Sequence, residues 1–298
     1  MPNSRIEKLK GTFVALITPM DSAGNILFEA LPDLLDFHRR NGVAGAVSGG
    51  TNSEATSFSV AERKRLLEAT LAQSAGLHIM AGTGATSVTD ALDLTRHAAD
   101  CGAVAALVVP PFFVKTPSVE GLYRYFMTLL DGADIPLLLY HIPAFTAVPI
   151  PDELIDRLLG HPNLVGMKNS TGDVEHTVGW LEKYPQLALF SGSDLIHEHL
   201  YPKGAHGCIS GLANAFPELI SAVWTGYIED PSLSKMREAQ QRVLQMAAIV
   251  RNYPFVANNK AILAHRGFPR FYVRPSLVDL TAEQEETMVG ELRAIGLL

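Results

Sequence analysis

The chain alternates between short continuous runs of apolar residues and longer segments in which apolar residues recur every three to four positions. A continuous run predicts a strand buried on both faces, and the recurring spacing predicts an amphipathic helix. In the first helical segment the recurring residues are Leu31, Leu34, Leu35 and His38, and Gly42 ends the segment. The predicted strands are 12–20, 44–50, 77–82, 103–110, 135–142, 164–168, 187–190 and 207–210. The predicted helices after them are 31–40, 60–73, 88–100, 119–130, 151–159, 174–184, 195–201 and 217–228.

These segments form about eight strand–helix units, which is the period of a (β/α)8 barrel. The competing architecture is a doubly wound open sheet, which typically carries a glycine-rich phosphate turn after its first strand. Thr18-Pro19-Met20 stands there instead. After Asp230-Pro231 the remaining helical segments are 233–250, 257–265 and 282–295. We therefore predict an α/β fold in which residues 1–230 form a TIM barrel and residues 231–298 form a C-terminal helical extension packed on its outside.

The composition of the chain restricts which binding partners and which cellular compartment are expected. The 298 residues are 47% hydrophobic and 18% charged, and a net charge of −7 without a basic run argues against nucleic acid or an anionic membrane as a partner. Residues 1–5 lead into no long apolar segment, so neither a signal peptide nor a membrane span is expected. Cys101 and Cys208 lie among small and apolar residues and are expected to be packed thiols. These features predict a cytoplasmic enzyme.

One lysine stands where the chain changes from apolar to polar. Leu164 to Met167 are apolar or small, Lys168 follows, and Asn169 to Asp173 are polar or small. In a parallel α/β protein this places Lys168 at the carboxyl end of a buried strand, where such folds form their sites. An ammonium group held among apolar neighbours loses solvation and gives up its proton more readily, and the free amine is a nucleophile toward carbonyls. The alternative is a strand-end lysine that pairs with a carboxylate or reaches solvent.

The other predicted strand ends supply small residues, hydroxyl groups and one tyrosine. The loops after the strands of a barrel face one rim, so these residues are expected to converge with Lys168. They are Gly49-Gly50-Thr51-Asn52-Ser53-Glu54, Gly82-Thr83-Gly84, Pro110-Pro111-Phe112-Phe113, Tyr140-His141-Ile142-Pro143, Ser191-Gly192-Ser193-Asp194 and Ile209-Ser210-Gly211.

This set of residues suits Schiff-base chemistry. Lys168 would attack a ketone to form an imine, and the protonated imine stabilises a carbanion at the neighbouring carbon. Tyr140 with Thr51 would carry the proton, and amides and hydroxyls at Thr51-Asn52 would hold a substrate carboxylate. The strand ends show no His/Asp/Glu cluster with ligand spacing, so metal catalysis is not expected.

Several of these residues also have another interpretation. Tyr140 also fits a core tyrosine with a satisfied hydroxyl, and Gly49-Gly50-Thr51 also fits a tight turn without further function. Ser191-Gly192-Ser193 also fits a phosphate cradle, since barrels often bind phosphate near strands seven and eight, although no basic partner stands nearby. His141 fits a hydrogen-bonded supporting group better than a base.

Four segments resemble the dihydrodipicolinate synthase / N-acetylneuraminate lyase family of pyruvate-type class I aldolases. Gly50-Thr51-Asn52-Ser53-Glu54 is similar to that family's Gly-Thr/Ser-Thr-Gly-Glu, and Tyr140-His141-Ile142-Pro143 is similar to its Tyr-Asn-hydrophobic-Pro. Gly166-Met167-Lys168-Asn169-Ser170 resembles the segment that bears the Schiff-base lysine. Ser191-Gly192-Ser193-Asp194, followed by Gly207-Cys208-Ile209-Ser210, resembles the last two strand ends. Each segment alone is a weak signal, but together, in this order and over nearly the whole chain, they are specific.

The resemblance implies a role for each matching residue. Lys168 would form the imine with a 2-oxo acid, Tyr140 would be the general acid/base, and Thr51 would relay protons. Ile209 would place a backbone carbonyl near the substrate. The predicted substrate-binding residues are Gly50, Thr51, Asn52, Gly192, Ser193 and Ile209. The resemblance implies no metal or organic cofactor, and it implies a homo-oligomer, either a tetramer or a dimer.

The departures from the family pattern concern the substrate. Dihydrodipicolinate synthases carry an arginine five residues after the tyrosine, which meets the carboxylate of aspartate semialdehyde, and this chain has Phe145 there. Their proton relay uses a second tyrosine donated across a subunit interface, and the matching residue here is Phe113, which has no hydroxyl. Asn52 and Ser53 replace the usual Thr and Gly, which would reshape the carboxylate pocket.

These departures favour a catabolic reaction. We predict retro-aldol cleavage that releases pyruvate from a 2-keto-3-deoxy sugar acid or a 4-hydroxy-2-oxoglutarate type of substrate. The first alternative is dehydration of a 2-keto-3-deoxy sugar acid through the same imine. Dihydrodipicolinate synthase activity is disfavoured by Phe145. A non-catalytic barrel that binds an oxo acid is the alternative from another class, and a phosphate-binding barrel enzyme is a third.

Overall fold

The computed structural model describes residues 9–298 and contains a closed barrel of eight parallel strands. The strands are β1 (Gly11–Ala15), β2 (Gly45–Ser48), β3 (His78–Gly82), β4 (Ala105–Val108), β5 (Leu137–His141), β6 (Leu164–Asn169), β7 (Ala188–Ser191) and β8 (Gly207–Ser210). Each strand pairs with the next in parallel, and β8 pairs with β1. The predicted (β/α)8 TIM barrel is therefore confirmed.

Helices follow the strands, as the alternation of the sequence predicts. They are α1 (Leu31–Arg40), α2 (Val60–Ala72), α3 (Val88–Asp100), α4 (Val119–Gly132), α5 (Pro143–Thr146), α6 (Asp152–Leu158), α7 (Val174–Lys183), α8 (His197–Leu200), α9 (Pro217–Glu229), α10 (Ser234–Val250), α11 (Ala257–His265) and α12 (Ala282–Ala294). Short 3-10 helices occur at Phe28–Ala30, Ala55–Ser57, Tyr201–Lys203 and Leu212–Asn214.

The first strand is shorter than its apolar run predicts. β1 ends at Ala15, whereas the run continues to Met20. Residues after Ala15 are still buried, but the hydroxyl of Thr18 donates to the carbonyl of Ser53 (2.8 Å) and Pro19 has no N–H to give a strand ladder. The N–H of Leu16 still donates to the carbonyl of Val47 in β2 (3.1 Å), and beyond Leu16 the apolar run records burial and not continued pairing in the barrel.

The core has two layers that the barrel wall separates. Along β5, Leu137 and Leu139 pack outward against the helices, while Leu138 and Tyr140 point into the barrel. Since both faces of each strand are buried, the strands read as continuous apolar runs. The inner layer includes Phe13, Val47, Met80, Leu107, Leu138, Val165, Phe190 and Ile209. Tyr140 thus lies at the end of a packed interior and not on an open surface.

The C-terminal helices pack on the barrel, with α10 against α9 and α12 against α10 and α11. A buried ion pair joins this extension to the loop after β2: the ammonium of Lys260 lies 2.6 Å from a carboxylate oxygen of Glu54. The same ammonium donates to the carbonyl of Tyr272 (2.6 Å), and the backbone N–H of Arg274 donates to the other oxygen of Glu54 (2.8 Å). The extension and the rim of the barrel are therefore held together by charge as well as by apolar contact.

Other expectations from the sequence concern the cysteines and the termini. Cys101 and Cys208 are both free, as predicted. Within residues 9–298 no helix has both the length and the apolar character needed to cross a bilayer. The expectation that residues 1–5 contain no signal peptide lies outside the described residues.

Candidate active site

Lys168 and Tyr140 lie side by side at the carboxyl ends of β6 and β5. The two residues are direct partners in the strand register, and Phe190 of β7 is the partner of Lys168 on its other side. The ammonium of Lys168 lies 4.3 Å from the centre of the Tyr140 ring, and the lysine is only 4% exposed. In the described part of the chain Lys168 has no carboxylate partner. Its amine is therefore confined among aromatic neighbours inside the barrel mouth.

The hydroxyl of Tyr140 faces the loop after β2. It shares a hydrogen bond of 3.4 Å with the hydroxyl of Thr51. Burial acts to raise the pKa of Tyr140, but the positive charge of Lys168 and the hydrogen bond with Thr51 outweigh it, so this pKa lies below its usual value. A phenol that ionises more easily next to an amine is suited to accept and return a proton during turnover.

The loop that carries Thr51 is held rigidly. The N–H of Gly49 donates to the hydroxyl of Ser53 (3.1 Å), and the backbone at Glu54 adopts a left-handed conformation with φ of 60°. The Glu54 side chain then reaches the buried Lys260 of the extension. A residue other than glycine in this conformation persists when the surroundings hold it there, so the ion pair helps to fix the turn.

Gly192 leaves room for the lysine side chain. A Cβ at this position would lie 1.8 Å from the hydroxyl oxygen of Ser170 and 2.8 Å from Cε of Lys168. Both distances are far below contact, so any larger residue would displace Lys168 or Ser170. The glycine that the sequence suggested as a ligand or phosphate cradle therefore also has a steric role beside the amine.

A cavity of about 500 Å³ opens at this rim. Most of the predicted site residues line it, namely Thr51, Asn52, Tyr140, Lys168, Gly192, Ser193 and Ile209. Gly50 lines an adjoining cavity of about 580 Å³, which shares Thr51, Tyr140 and Phe145 with the first. The tertiary structure thus brings seven of the predicted residues around one space and leaves Gly50 next to it.

Several residues that line the lysine cavity were absent from the predicted site. Ser170 and Asp194 follow β6 and β7 and stand within the quoted strand-end segments, so their positions could have been inferred from the rim. Arg251, Asn258 and Asn259 come from the end of α10 and the start of α11. Helical periodicity predicts the extension but not which barrel loop it meets, so the sequence offered no signal for these three.

His141 supports the site without entering the cavity. Its Nδ1 accepts a hydrogen bond from the N–H of Ile150 (3.0 Å), and its ring packs against those of His176 and Trp180. Burial and the neighbouring His176 lower the pKa of His141 to about 4. The ring is therefore neutral near pH 7 and accepts a hydrogen bond from the backbone, which agrees with the supporting role that we expected.

The two phenylalanines that depart from the family pattern lie in different surroundings. Phe145 lines both cavities, is 57% exposed, and contacts the ring of Phe255 from the extension at 5.4 Å between centroids. Phe113 is 83% exposed in the single chain. The ring of Phe145 therefore places an apolar group on the cavity lining, where no carboxylate could pair with it.

One group of potential metal ligands occurs among residues 9–298, and it is remote from the lysine cavity. Glu68, His97 and Cys101 lie on or just after helices α2 and α3, with the His97 Nε2 3.1 Å from a Glu68 oxygen and 3.4 Å from the Cys101 sulfur. None of the three lines either cavity at the rim. Nothing links this cluster to the site of Lys168.

Known proteins similar in sequence to this chain are lyases and synthases. The model of the dihydrodipicolinate synthetase family matches residues 8–295. A protein named "Uncharacterized DapA-like lyase" from Chloroflexus aurantiacus is 36% identical over 96% of this chain and 95% of its own length. The 4-hydroxy-tetrahydrodipicolinate synthase of Neisseria meningitidis is 34% identical over 97% of this chain and 100% of its own length.

Solved structures give the same result for the fold. The chloride-inhibited dihydrodipicolinate synthase from Acinetobacter baumannii, complexed with pyruvate, aligns with a TM-score of 0.89 at 29% identity over 97% of this chain and 100% of that one. YagE from Escherichia coli, in complex with pyruvate, aligns with a TM-score of 0.92 at 23% identity over 97% and 99%, a likeness of fold alone. The family match and the identities above 30% show that this chain belongs to the dihydrodipicolinate synthetase family and is a lyase of the class I aldolase type.

Proposed function

We propose that the protein cleaves a 2-oxo acid through a Schiff base on Lys168 and releases pyruvate. The observation that carries this proposal is a lysine that is 4% exposed, has no carboxylate partner within the described chain, and lies beside Tyr140 in a 500 Å³ cavity. An amine used only for an ion pair would have its carboxylate, as Lys260 has Glu54. The substrates proposed are 2-keto-3-deoxy sugar acids or 4-hydroxy-2-oxoglutarate-like compounds.

The reaction balances with the groups present. The Lys168 amine attacks the C2 ketone, and loss of one water gives the imine. A base removes the proton from the C4 hydroxyl, the C3–C4 bond breaks, and its electron pair forms an enamine while an aldehyde leaves. Protonation at C3 and addition of water then release pyruvate and regenerate the amine. No oxidant or reductant is needed.

Tyr140 is the proton carrier in this scheme. Its hydroxyl bonds Thr51, and the lowered pKa that we describe above favours transient loss of its proton. Thr51 and Asn52 line the same cavity and supply a hydroxyl and an amide for the C1 carboxylate. The related dihydrodipicolinate synthase from Acinetobacter baumannii is complexed with pyruvate, which supports a 2-oxo acid as the ligand class.

Two other activities deserve direct comparison in an assay. Dehydration of a 2-keto-3-deoxy sugar acid would use the same imine, but a base would remove a C3 proton and the C4 hydroxyl would then leave as water, so the C4–O bond breaks in place of the C3–C4 bond. The relatives named 4-hydroxy-tetrahydrodipicolinate synthase favour that synthase activity. Against it stands Phe145, an apolar ring on the cavity lining at the position where those synthases carry an arginine.

The proposal is tested by trapping the imine. The protein is incubated with pyruvate and sodium cyanoborohydride, and the intact mass and tryptic peptides are measured. We expect a reduced adduct on the peptide that carries Lys168. Lys168→Arg keeps the positive charge but cannot form the adduct, and Lys183→Arg is the surface control that should trap normally. A wild-type protein without adduct, or a Lys168→Arg variant that still releases pyruvate from substrate, would refute the mechanism.

We further propose that the protein is a homo-oligomer. Phe113 and Val114 in the loop after β4 are exposed apolar neighbours in the single chain, which suits a face covered by a second copy. Light scattering on the purified protein distinguishes a tetramer or dimer from a monomer of 32.3 kDa.

A further inference from the structure

Apart from Lys168, the barrel loops bring no cationic side chain to this cavity within the described residues, so an anionic group at the far end of a substrate would need a partner from elsewhere. Lys168, Thr51 and Asn52 account for the keto group and the C1 carboxylate under the function proposed above. Phe145 presents only a ring to the same cavity. A cationic group does line the cavity from another direction, because Arg251 follows the last residue of α10 and reaches this space from the C-terminal extension.

The guanidinium of Arg251 is available for a ligand. Its backbone N–H bonds the carbonyl of Ala247, but within residues 9–298 its side chain makes no hydrogen bond or ion pair. Other arginines at the barrel rim are already engaged: Arg63 donates to the carbonyls of Gly82 and Gly84, and Arg274 bonds Glu62. An unengaged guanidinium beside a cavity is suited to pair with a carboxylate through two parallel hydrogen bonds.

The segment that carries Arg251 is ordered by its own contacts. The side-chain amide of Asn258 donates to the carbonyl of Val250 (3.0 Å), which ties the start of α11 to the end of α10. The hydroxyl of Tyr253 donates to Glu291 of α12 (2.9 Å). Val256 has a φ of 67°, which is unfavourable for a β-branched residue and requires that the surroundings hold the turn. The backbone around Arg251 is thus held by contacts within the extension.

A second group on the lining of the same cavity lacks a partner. Asn259 is 2% exposed, lines the same cavity, and its side-chain oxygen has no hydrogen-bond partner among the described residues. A buried amide oxygen without a donor is unfavourable, and a ligand hydroxyl would satisfy it. The two observations are independent, since one concerns a free cation and the other an unsatisfied acceptor.

Asp194 is the acidic side chain among the described residues that line this cavity. One of its oxygens accepts a hydrogen bond from the N–H of Leu212 (3.4 Å), and the ring of His197 lies 3.7 Å from the other. Lys168 and Arg251 are the cations on the same lining. The cavity therefore carries more positive than negative groups, which favours a ligand with two carboxylates over a ligand with one.

We propose that Arg251 and Asn259 form a subsite for a second carboxylate and an adjacent hydroxyl at the far end of the substrate. The preferred substrates would then be 2-oxo diacids, and the extension would determine specificity in place of the barrel residue at Phe145. This inference rests on the proposed Schiff-base function, because Lys168 must hold the keto end while Arg251 holds the other.

Imine trapping with two six-carbon acids that differ only at the far end tests the subsite. The compounds are 2-oxoadipate, which ends in a carboxylate, and 2-oxohexanoate, which ends in a methyl group. The fraction of adduct is measured against ligand concentration in the presence of cyanoborohydride. We expect 2-oxoadipate to half-saturate the wild-type protein at a concentration roughly 10-fold or more below that of 2-oxohexanoate, as one charge-assisted contact allows.

Amino-acid substitutions distinguish loss of the subsite from a general loss of folding or activity. Arg251→Met should remove the preference for 2-oxoadipate and leave trapping of 2-oxohexanoate and of pyruvate within about 3-fold of wild type. Arg237→Met is the matched control, because Arg237 is an exposed arginine on the same helix that does not line the cavity. Asn259→Leu should weaken binding of 2-keto-3-deoxygluconate, which carries hydroxyls, more than that of 2-oxoadipate, which carries none.

The outcomes distinguish the two levels of the proposal. If the wild-type protein forms no adduct even with pyruvate, the proposed Schiff-base function is refuted, and the proposed subsite, which rests on it, is refuted as well. If pyruvate is trapped but the two six-carbon acids half-saturate alike, only the subsite is wrong. It is equally refuted if Arg251→Met weakens both acids to the same extent, or if Arg237→Met abolishes the preference as well.

Discussion

The buried ion pair between Lys260 and Glu54 predicts a large and specific loss of stability. Their side chains are 1% and 0% exposed, and the pair connects helix α11 to the loop that carries Thr51. Lys260→Met fills similar volume without the charge. The Glu54 carboxylate would then remain buried with only the N–H of Arg274 (2.8 Å) as a partner. Removing one member of a buried pair is costly because the other charge stays desolvated.

The size of the effect follows from the contacts that are lost. Lys260 makes two charge-assisted hydrogen bonds of 2.6 Å, to Glu54 and to the carbonyl of Tyr272. At about 1.5–3 kcal/mol for each hydrogen bond to a charged group, the loss is roughly 3–6 kcal/mol, in line with the roughly 3–5 kcal/mol typical of a broken buried pair. A protein of ordinary stability, about 5–15 kcal/mol, would be left marginal.

Urea unfolding followed by tryptophan fluorescence measures this loss, with Trp180 and Trp224 as the reporters. The double variant Glu54→Gln, Lys260→Met should recover at least about 2 kcal/mol over Lys260→Met alone, because no charge then remains buried. Lys183→Met is the control: its bonds to Asp152 and Asp156 are on the surface, with the lysine 44% exposed, so its cost should stay within about 1 kcal/mol. A Lys260→Met variant that loses no more than this control would contradict the reasoning.

Three further predictions concern the site and the pH dependence of folding. Tyr140→Phe should lower single-turnover release of pyruvate by about 10²–10⁴-fold, since we propose that the hydroxyl that bonds Thr51 is the proton carrier, and an unchanged rate would remove Tyr140 from that role. Gly192→Ala should reduce imine trapping by about 10-fold or more, because the new Cβ would lie 2.8 Å from Cε of Lys168. Gly179→Ala is the control and should trap normally, because a Cβ there meets no atom within 4 Å. Burial and the charge of Arg266 lower the pKa of His38 to about 3 in the folded state, whereas the unfolded chain has the ordinary value of about 6.5. As the pH drops from about 6.5 toward 3, the unfolded chain therefore binds a proton that the folded protein does not. The free energy of unfolding should fall over this range by up to ~1.4 kcal/mol per pH unit. In urea unfolding at pH 7, 6 and 5, His38→Leu should flatten this slope and the exposed His199→Gln should not; a slope unchanged in His38→Leu would contradict the assignment.

Much of the fold could be predicted from the sequence, because barrel strands are buried on both faces and form continuous apolar runs. The bounds of α1, α3, α11 and β8 coincide with the apolar pattern, since each ends at a clear change in polarity or at a turn residue. The pattern failed where burial and pairing diverge. Residues 17–20 are buried without pairing in the barrel, and periodicity cannot tell this from a strand. The four-residue helix α5 was also missed, because it is too short to show a helical repeat of apolar residues.

The sequence alone predicted that Lys168, Tyr140 and Thr51 lie together at the rim, because a residue at the end of an apolar run reaches the rim once the barrel closes. It could not show that Gly192 makes space for the lysine, since a steric requirement exists only when β6 and β7 are side by side. Nor could it place Arg251 and Asn259 on the cavity. Helical spacing fixes which face of a helix is buried but not the element that it packs against, and that choice is made by long-range contacts such as Lys260 with Glu54, which lie 206 residues apart.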